Sequence, residues 1–403
     1  MLSTLPLYTL PGHVPAQRLM EIDVYALPGA ETDYLAAWKA LQDAAPSSIV
    51  WSPCNGGHWV ATRGREIAAI YKDHEGFSSR IVLVPRAWGE AYPVKPSTLD
   101  PPQHTGYRAI LSASLTSSDV EAARARIRAL AVERIEALRP RGKCEFISEF
   151  ATHIPVAVFL ALAELPAEDA SKLPRYAEPI LDPTGHVTDA GIMDRFADYL
   201  RPICRRRMAS PGHDLISRIV TGRIEGRSLT EDDAVDMATT MMTGGLDTVV
   251  SSLGLLMGFL ARSPAQRRRL AVEPDRIAAT IREMLRRFPT MTKARLCTRE
   301  RSLDGVKIKP GDMMVLPPLH GLDEHIFDNP MELDFNRPPR LNLTFGAGVH
   351  RCPGAVLAMT ELEIVISEWL TRIPDFEIDP RVPQKTQSGV LGAVVLLGLT
   401  WSI

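Results

Sequence analysis

Between Phe345 and Gly354 the chain reads Phe-Gly-Ala-Gly-Val-His-Arg-Cys-Pro-Gly, and Cys352 stands where an apolar helical pattern begins. A helix N-terminus stabilises a thiolate through its free amide N–H groups and the positive end of its dipole. Gly346 and Gly348 permit backbone angles that other residues avoid, and Gly354 lets a flat ligand lie against the main chain. His350 and Arg351 add positive character suited to carboxylates. A thiolate that binds iron has these requirements. Read from the residues alone, three alternatives stay open. Most lone cysteines are buried structural thiols. A nucleotide loop would use Gly346-x-Gly348, but the third glycine and a surrounding strand–helix–strand unit are missing. A Cys–His hydrolase would use Cys352 and His350, without an orienting acid or oxyanion-hole pattern.

Other groups with chemical capacity lie upstream. Gly244-Gly245-Leu246-Asp247-Thr248 sits inside a long apolar helical pattern. Two helical glycines cost about 1 kcal/mol each against Ala, and an acid among apolar residues needs a partner. The plain reading is a packing notch with a satisfied core Asp. Glu283 and Arg286, at i and i+3, share a helix face and can pair. His104 and Arg108, at i and i+4 after Asp100-Pro101-Pro102, can face one anionic group.

The elements that must hold these residues are mostly helices. One pattern runs from Val120 to Leu138 and stops at Pro140. The clearest begins at Thr230, a good N-cap, with Asp233 completing a capping box, and runs to about Arg262 before Ser263-Pro264. At 1.5 Å per residue it spans roughly 45–50 Å, and its apolar character all round predicts burial. A further helix starts near Pro274 and ends before Pro289, and a last one runs from about Pro353 to Leu370. Val306 to Ile308 and Met313 to Leu316 read as short strands. Strand and helix do not alternate regularly, so a parallel α/β sheet is excluded and the fold class is mainly α with small β elements.

Length alone, 403 residues, allows two or three domains. No repeat or linker divides the chain, so residues 1–403 are read as one domain. The net charge of −2 gives no footing for nucleic acid or an anionic membrane. Five scattered cysteines without a Cys-x-x-Cys pair make neither a disulfide framework nor a zinc site. No leader is apparent in the first fifteen residues, and the stretch from Val390 to Leu399 is too short to span a bilayer. A cytoplasmic protein without a membrane anchor is expected.

The ten positions from Phe345 to Gly354 resemble the cysteine-loop signature of the cytochrome P-450 family. The Glu283-x-x-Arg286 pair, the Gly244–Thr248 run and the His104/Arg108 segment follow the family's order, which extends the resemblance to nearly the whole chain. It implies a cytochrome P-450 fold with haem b held by Cys352 as axial iron ligand. Around the haem it implies Phe345, Gly346 and Gly354 in the loop, and Gly244 and Gly245 in a locally distorted helix that opens a groove. His104, Arg108, Arg295 and His350 would contact the propionates. Glu283, Arg286 and Arg337 would form a structural network, and Asp247 and Thr248 would relay protons during dioxygen cleavage.

The likeness is strongest to the bacterial camphor-hydroxylating subfamily, through stretches such as Gly321-Leu322-Asp323-Glu324 and Trp369 to Phe376. By position it implies a substrate pocket of Leu83, Tyr92, Val94, Thr240, Thr243, Met291, Val390 and Leu391. Trp88, Leu83 and Thr240 differ in size from their counterparts, which turns the expectation from camphor to a terpenoid or norisoprenoid ketone such as an ionone. Lys293 stands where camphor-type members carry an Asp beside a propionate, and a Lys can pair with that carboxylate. The subfamily implies a monomer working with O2, a [2Fe–2S] ferredoxin and an NADH-dependent reductase. Arg108, Arg124, Arg128, Arg340 and Arg351 are candidates for a basic docking face. The competing expectations are a peroxide-driven haem-thiolate peroxygenase or isomerase, and a haem sensor. The Asp247–Thr248 pair is surplus to both.

Overall fold

The computed structural model describes the chain except residues 1–9, 92, 172, 174–190 and 339–341. Eight helices matter for the site: α1 (Gln103–Ser114), α2 (Ser117–Leu138), α3 (His153–Leu162), α4 (Ile192–Ala209), α5 (Leu215–Val220), α6 (Glu231–Arg262), α7 (Ile277–Arg287) and α8 (Ala355–Arg372). The main sheet is built from β1 (Ile49–Ser52), β2 (His58–Ala61), β3 (Phe77–Ser78), β4 (Lys293–Cys297) and β5 (Met313–Leu316). Their order is β1-β2-β5-β4-β3, antiparallel except where β5 runs parallel to β2. The fold is mainly α with small sheets.

Local signals place the long helix. Thr230 Oγ1 accepts from Asp233 N–H at 3.1 Å, and the Asp233 carboxylate accepts from Thr230 N–H at 3.3 Å. Glu231 and Asp232 add negative charge to the first turn, where the dipole favours it, and each also takes an arginine from α4. Among the described residues α6 is the one helix long and apolar enough to cross a membrane. Yet 67% of its most apolar window is buried, as a core helix requires. The predicted distortion at Gly244–Gly245 is not seen: α6 runs unbroken from Glu231 to Arg262. The missing side chains of the two glycines leave the notch open. At the other helices the ends shift slightly. Pro274–Arg276 forms a 3₁₀ turn before α7, and α8 begins at Ala355 and reaches Arg372.

Two apolar clusters share α6. Ala234 to Leu246 pack with α1, α4 and α5, whereas Val249 to Ala261 join the sheet, α2, α7 and α8. Asp247 and Thr248 fall at the seam. On the far side of α8, Trp369 packs edge-on against Phe146 and Phe150, each 5.2 Å away between ring centres, and against Trp401 at 5.8 Å. Edge-to-face aromatic packing adds about 0.5–1.5 kcal/mol per pair beyond area burial. That packing anchors the helix whose first turn follows Cys352.

Candidate active site

A cavity of about 330 Å³ lies at the seam, between the start of α8, the notch of α6 and the cavity-facing edge of β4. Cys352 borders it. Its loop is closed by Cys352 N–H donating to Phe345 O at 2.8 Å and by Gly346 N–H donating to Leu343 O at 2.8 Å. Thr344 Oγ1 ties the loop to the end of α7 by donating to Leu285 O at 2.7 Å. Gly348 has φ +67°, and a Cβ there would lie 2.8 Å from the Tyr71 carbonyl oxygen, so only glycine fits. Burial pushes the Cys352 thiol up. The Gly354 N–H and the cations Arg108, Lys293 and Arg351 pull it back toward the thiolate.

Across the cavity α6 presents Gly244, Gly245 and Thr248. A Cβ on either glycine would meet nothing within 4 Å, so the notch is open space. Thr248 Oγ1 donates to Gly244 O at 3.0 Å, a bond the side chain exchanges with a ligand at little cost. Asp247 does not border the cavity. It is half-buried, has no side-chain partner among the described residues, and burial pushes its pKa up to about 7.

The third wall is basic. His104, Arg108, Lys293, Arg295 and His350 all border the cavity. Arg295 is 4% exposed, lies 5.3 Å from the Tyr71 ring centre, and donates to its neighbour's carbonyl, Ala294 O, at 2.8 Å. Arg108 Nη2 donates to Arg351 O. The His104 and His350 rings sit 4.3 Å apart. Burial, then His104 and the nearby arginines, press His350 down to about 3, so it is neutral, and its buried Nε2 has no hydrogen-bond partner. No carboxylate pairs with Arg108, Lys293 or Arg295 among the described residues. A thiol at one helix start, a glycine-floored slot and converging cations fit a flat, doubly anionic metal macrocycle such as haem b.

Behind the cavity, Glu283 accepts from Arg286 through two bonds of 2.8 and 2.9 Å and from Arg337 Nε at 3.1 Å. The Asp334 N–H also donates to Glu283, at 3.1 Å. This network ties α7 to the Asp334–Arg337 segment ahead of the cysteine loop.

Of the residues expected around a substrate, Thr240 and Met291 border the cavity. Leu83, Val94, Thr243, Val390 and Leu391 do not. Thr243 Oγ1 is turned to Thr239 O at 2.9 Å, and Leu391 and Val390 brace Met291 and Thr292 from behind through a β-bridge and a 2.9 Å backbone bond. Tyr92 lies outside the described residues, as does Arg340. The Thr240 hydroxyl donates to Lys95 O at 2.6 Å. Lys95 in turn pairs with Asp233 and Asp236 at 3.0 Å each, and Tyr107 donates to Asp233 at 2.9 Å. Thr240 thus tethers the Val94–Thr98 segment to α6.

Sequence reading missed Glu361, on α8. It is 3% exposed, one carboxyl oxygen has no partner, and it borders both the cavity and a neighbouring pocket of about 30 Å³ at Gly245. Burial raises its pKa from 4.5 to about 8. The folded protein therefore keeps this proton between pH 4.5 and 8 while the unfolded chain loses it, and stability falls as pH rises through that window. The slope is up to roughly 1.4 kcal/mol per pH unit. Glu361→Gln is expected to flatten the decline measured by urea unfolding between pH 5 and 8; identical slopes would mean the carboxyl is ionised in the fold. An acid placed at i+9 from the cysteine carries no local signal.

The sequence matches the Cytochrome P450 family over residues 178–396. The probable cytochrome P450 127A1 of Sinorhizobium fredii (strain NBRC 101917 / NGR234) is 32% identical over 403 residues, covering 98% of this chain and 97% of that protein. The cyclomarin C epoxidase CymV of Salinispora arenicola (strain CNS-205) is 32% identical over 333 residues, covering 79% and 84%. The crystal structures of CYP101J2 and CYP101C1 each superpose with a TM-score of 0.92 at 37% identity, over 98% of this chain and 100% of theirs. The chain belongs to the cytochrome P450 family, the haem b-containing thiolate monooxygenases, and its likeness to the CYP101 structures is that of the bacterial camphor-hydroxylase-like group.

Proposed function

We propose that this protein hydroxylates a small apolar molecule, a terpenoid or norisoprenoid ketone such as an ionone, with haem b held in the cavity by Cys352. The observation that carries this reading is the convergence of the helix-start thiol, the open notch and Thr248 on one cavity that also has a cationic wall. Cys352 would bind the haem iron as thiolate, Phe345, Gly346 and Gly354 would line one side of the group and Gly244 and Gly245 the other, and His104, Arg108, Arg295 and His350 would hold its two propionates. Haem b, when bound, supplies the reductive activation of O2 and the insertion of one of its atoms into a C–H bond.

The protein's part is to position and to protonate. Met291 and the apolar residues Leu111, Leu115, Met241 and Val249 on the cavity wall exclude water around the substrate. Asp247, near 7, both holds and releases a proton at neutral pH, the condition for an efficient general acid. Thr248 passes that proton by turning its hydroxyl from Gly244 O into the cavity. Electrons come from a [2Fe–2S] ferredoxin and its NADH-dependent reductase. On the candidate docking face Arg124 is 3.6 Å from Glu363 and Arg128 is 2.9 Å from Glu368, so Arg108 and exposed Arg351, which pair with no carboxylate among the described residues, contribute the unneutralised charge. The reading takes residues 1–403 as one monomeric cytoplasmic domain.

Three measurements test it. A Soret titration with a terpenoid panel is expected to show a low- to high-spin shift for at least one ketone; no shift with any member sinks the substrate class. Asp247→Asn is expected to slow product formation roughly a hundredfold, and Thr248→Ala to keep NADH consumption while product per NADH collapses. Unchanged coupling in the Thr248 variant would remove the relay.

A further inference from the structure

Residues 94–98 form a turn closed on itself. Thr98 Oγ1 accepts from Val94 N–H at 2.8 Å, Thr98 N–H donates to Val94 O at 2.9 Å, and Leu99 N–H donates to Pro96 O at 3.0 Å. Pro96 and Ser97, in its middle, border the cavity. Among the described residues, every hydrogen bond and ion pair that ties this turn to another element runs through Lys95. Its carbonyl accepts from Thr240 Oγ1 at 2.6 Å, and its ammonium stands 3.0 Å from both Asp233 and Asp236. One wall of the cavity therefore hangs on one residue.

The partners on α6 are placed for this. Asp233, Asp236, Thr240, Gly244 and Thr248 follow at i, i+3, i+7, i+11 and i+15, which is one face of a helix, and the last three border the cavity. The stripe that carries the notch thus carries the acids about two to three turns before it. Asp233 is itself held twice. Tyr107 of α1 donates to one carboxyl oxygen at 2.9 Å, and the other accepts from Thr230 N–H in the capping box. Burial opposes the charges of Lys95 and Asp233, but their mutual hydrogen bond and their other partners outweigh it, so the Lys95 pKa is raised and that of Asp233 lowered. The side chains of Lys95 and Asp236 are 31% and 45% exposed. Ion pairs so exposed are worth little and are screened by salt, so this attachment is one that releases.

We propose that Lys95 is an electrostatic latch: its ion pairs with Asp233 and Asp236 hold the Pro96–Ser97 wall against α6, and their release admits apolar molecules to the cavity. Lys95 is a positioning residue, acting through the wall and not on the reacting atoms. The proposal rests on haem b occupying the cavity, and not on the identity of the substrate. The probe is accordingly 4-phenylimidazole, a ligand of ferric haem whose entry is read from the Soret band. At slightly alkaline pH it is uncharged, so salt acts on the protein alone. Association and dissociation rates are measured by stopped flow at low salt and at about 1 M KCl, where the screening length falls to about 3 Å. Deuterium uptake of the 94–99 amides and the urea midpoint are followed on the same samples.

In wild type, high salt is expected to raise both rates roughly fivefold, within the worth of two partly exposed ion pairs, and to raise deuterium uptake at residues 94–99. Lys95→Met is expected to show the fast rates and the high uptake already at low salt, and to lose the salt response. Lys95→Arg keeps both carboxylates engaged and restores that response. Thr240→Val loosens the same wall but leaves the ion pairs, so its rates rise and still respond to salt. Should Lys95→Met lower the urea midpoint, Asp236→Asn, an exposed change, supplies the same comparison with a partial loss. Rates and uptake in Lys95→Met equal to wild type at both salt concentrations overturn the proposal. Faster entry with unchanged uptake at residues 94–99 overturns it too, because charge at the cavity mouth and not wall movement then sets the rate. A protein without a phenylimidazole spectrum defeats the haem reading instead, and the uptake comparison still decides the latch.

Discussion

Cys352→Ser is expected to abolish the far-red-shifted band of the reduced, carbon-monoxide-treated protein and to bring hydroxylation to background, with the fold left intact. The sulfur sits in a loop closed by backbone bonds from Cys352 to Phe345 and from Gly346 to Leu343, which an exchange of Sγ for Oγ leaves in place. Fold stability is therefore expected to change by roughly 1 kcal/mol or less. What changes is the ligand. A serine hydroxyl lacks the polarisable, electron-donating thiolate that favours O–O cleavage, and neither the Gly354 N–H nor the cations around the loop ionise an alcohol at neutral pH. The check is the carbon-monoxide difference spectrum beside a urea melt. A persisting thiolate-type band in the Ser variant would put the iron ligand elsewhere.

Glu283→Ala carries the largest expected stability effect. Removing this carboxylate leaves the charge of Arg286, which is 2% exposed, without a counter-ion and takes the acceptor from Arg337 Nε, which keeps only the bond from Nη1 to Asp328 O. The Asp334 N–H also loses its bond. Breaking a buried ion pair from one side costs about 3–5 kcal/mol, a large fraction of the 5–15 kcal/mol typical of a folded domain. The damage should reach the cofactor site, because Arg286 also donates to Gly321 O, to Pro330 O at 2.8 Å and to Glu332 O at 2.9 Å, and so pins the segment ahead of the cysteine loop. The variant is expected to unfold at a much lower urea midpoint and to retain less haem. Arg337→Met, which keeps the bidentate Glu283–Arg286 pair, is expected to cost about 1–2 kcal/mol. A Glu283→Ala midpoint equal to wild type would make the network ornamental.

Much of this architecture was legible because its signals are local. On a helix, sequence neighbours at i+3 and i+4 are spatial neighbours, so the Thr230–Asp233 capping box and the Glu283–Arg286 pair could be read directly from spacing. His104 and Arg108 reach the cavity wall together for the same reason. The cysteine loop was legible through its resemblance to a ten-position family signature, because from its residues alone a structural thiol, a nucleotide loop and a hydrolase stayed open.

Pairing across the chain was less legible. Lys95 meets Asp233 from 138 residues away, and its carbonyl takes the hydroxyl of Thr240, which the resemblance had assigned to the substrate. Leu83, Val94, Val390 and Leu391 were placed by position in a pattern, but which face of a loop looks inward depends on what packs behind it. Helix continuity at Gly244 likewise reflects the whole of α6 held between two apolar clusters, against the local preference of two glycines.

The amino-acid order by itself determined the thiol at a helix start, the long core helix with its small-residue notch, and the Glu283–Arg286 pair, since each is set by residues a turn or two apart. Tertiary structure alone decided that Glu361 stays protonated at the seam, that Lys293 faces a cavity without a counter-ion, and that Thr240 holds a loop. Burial and the identity of a distant partner fix a group's charge and bonding, and neither is encoded in the residues beside it.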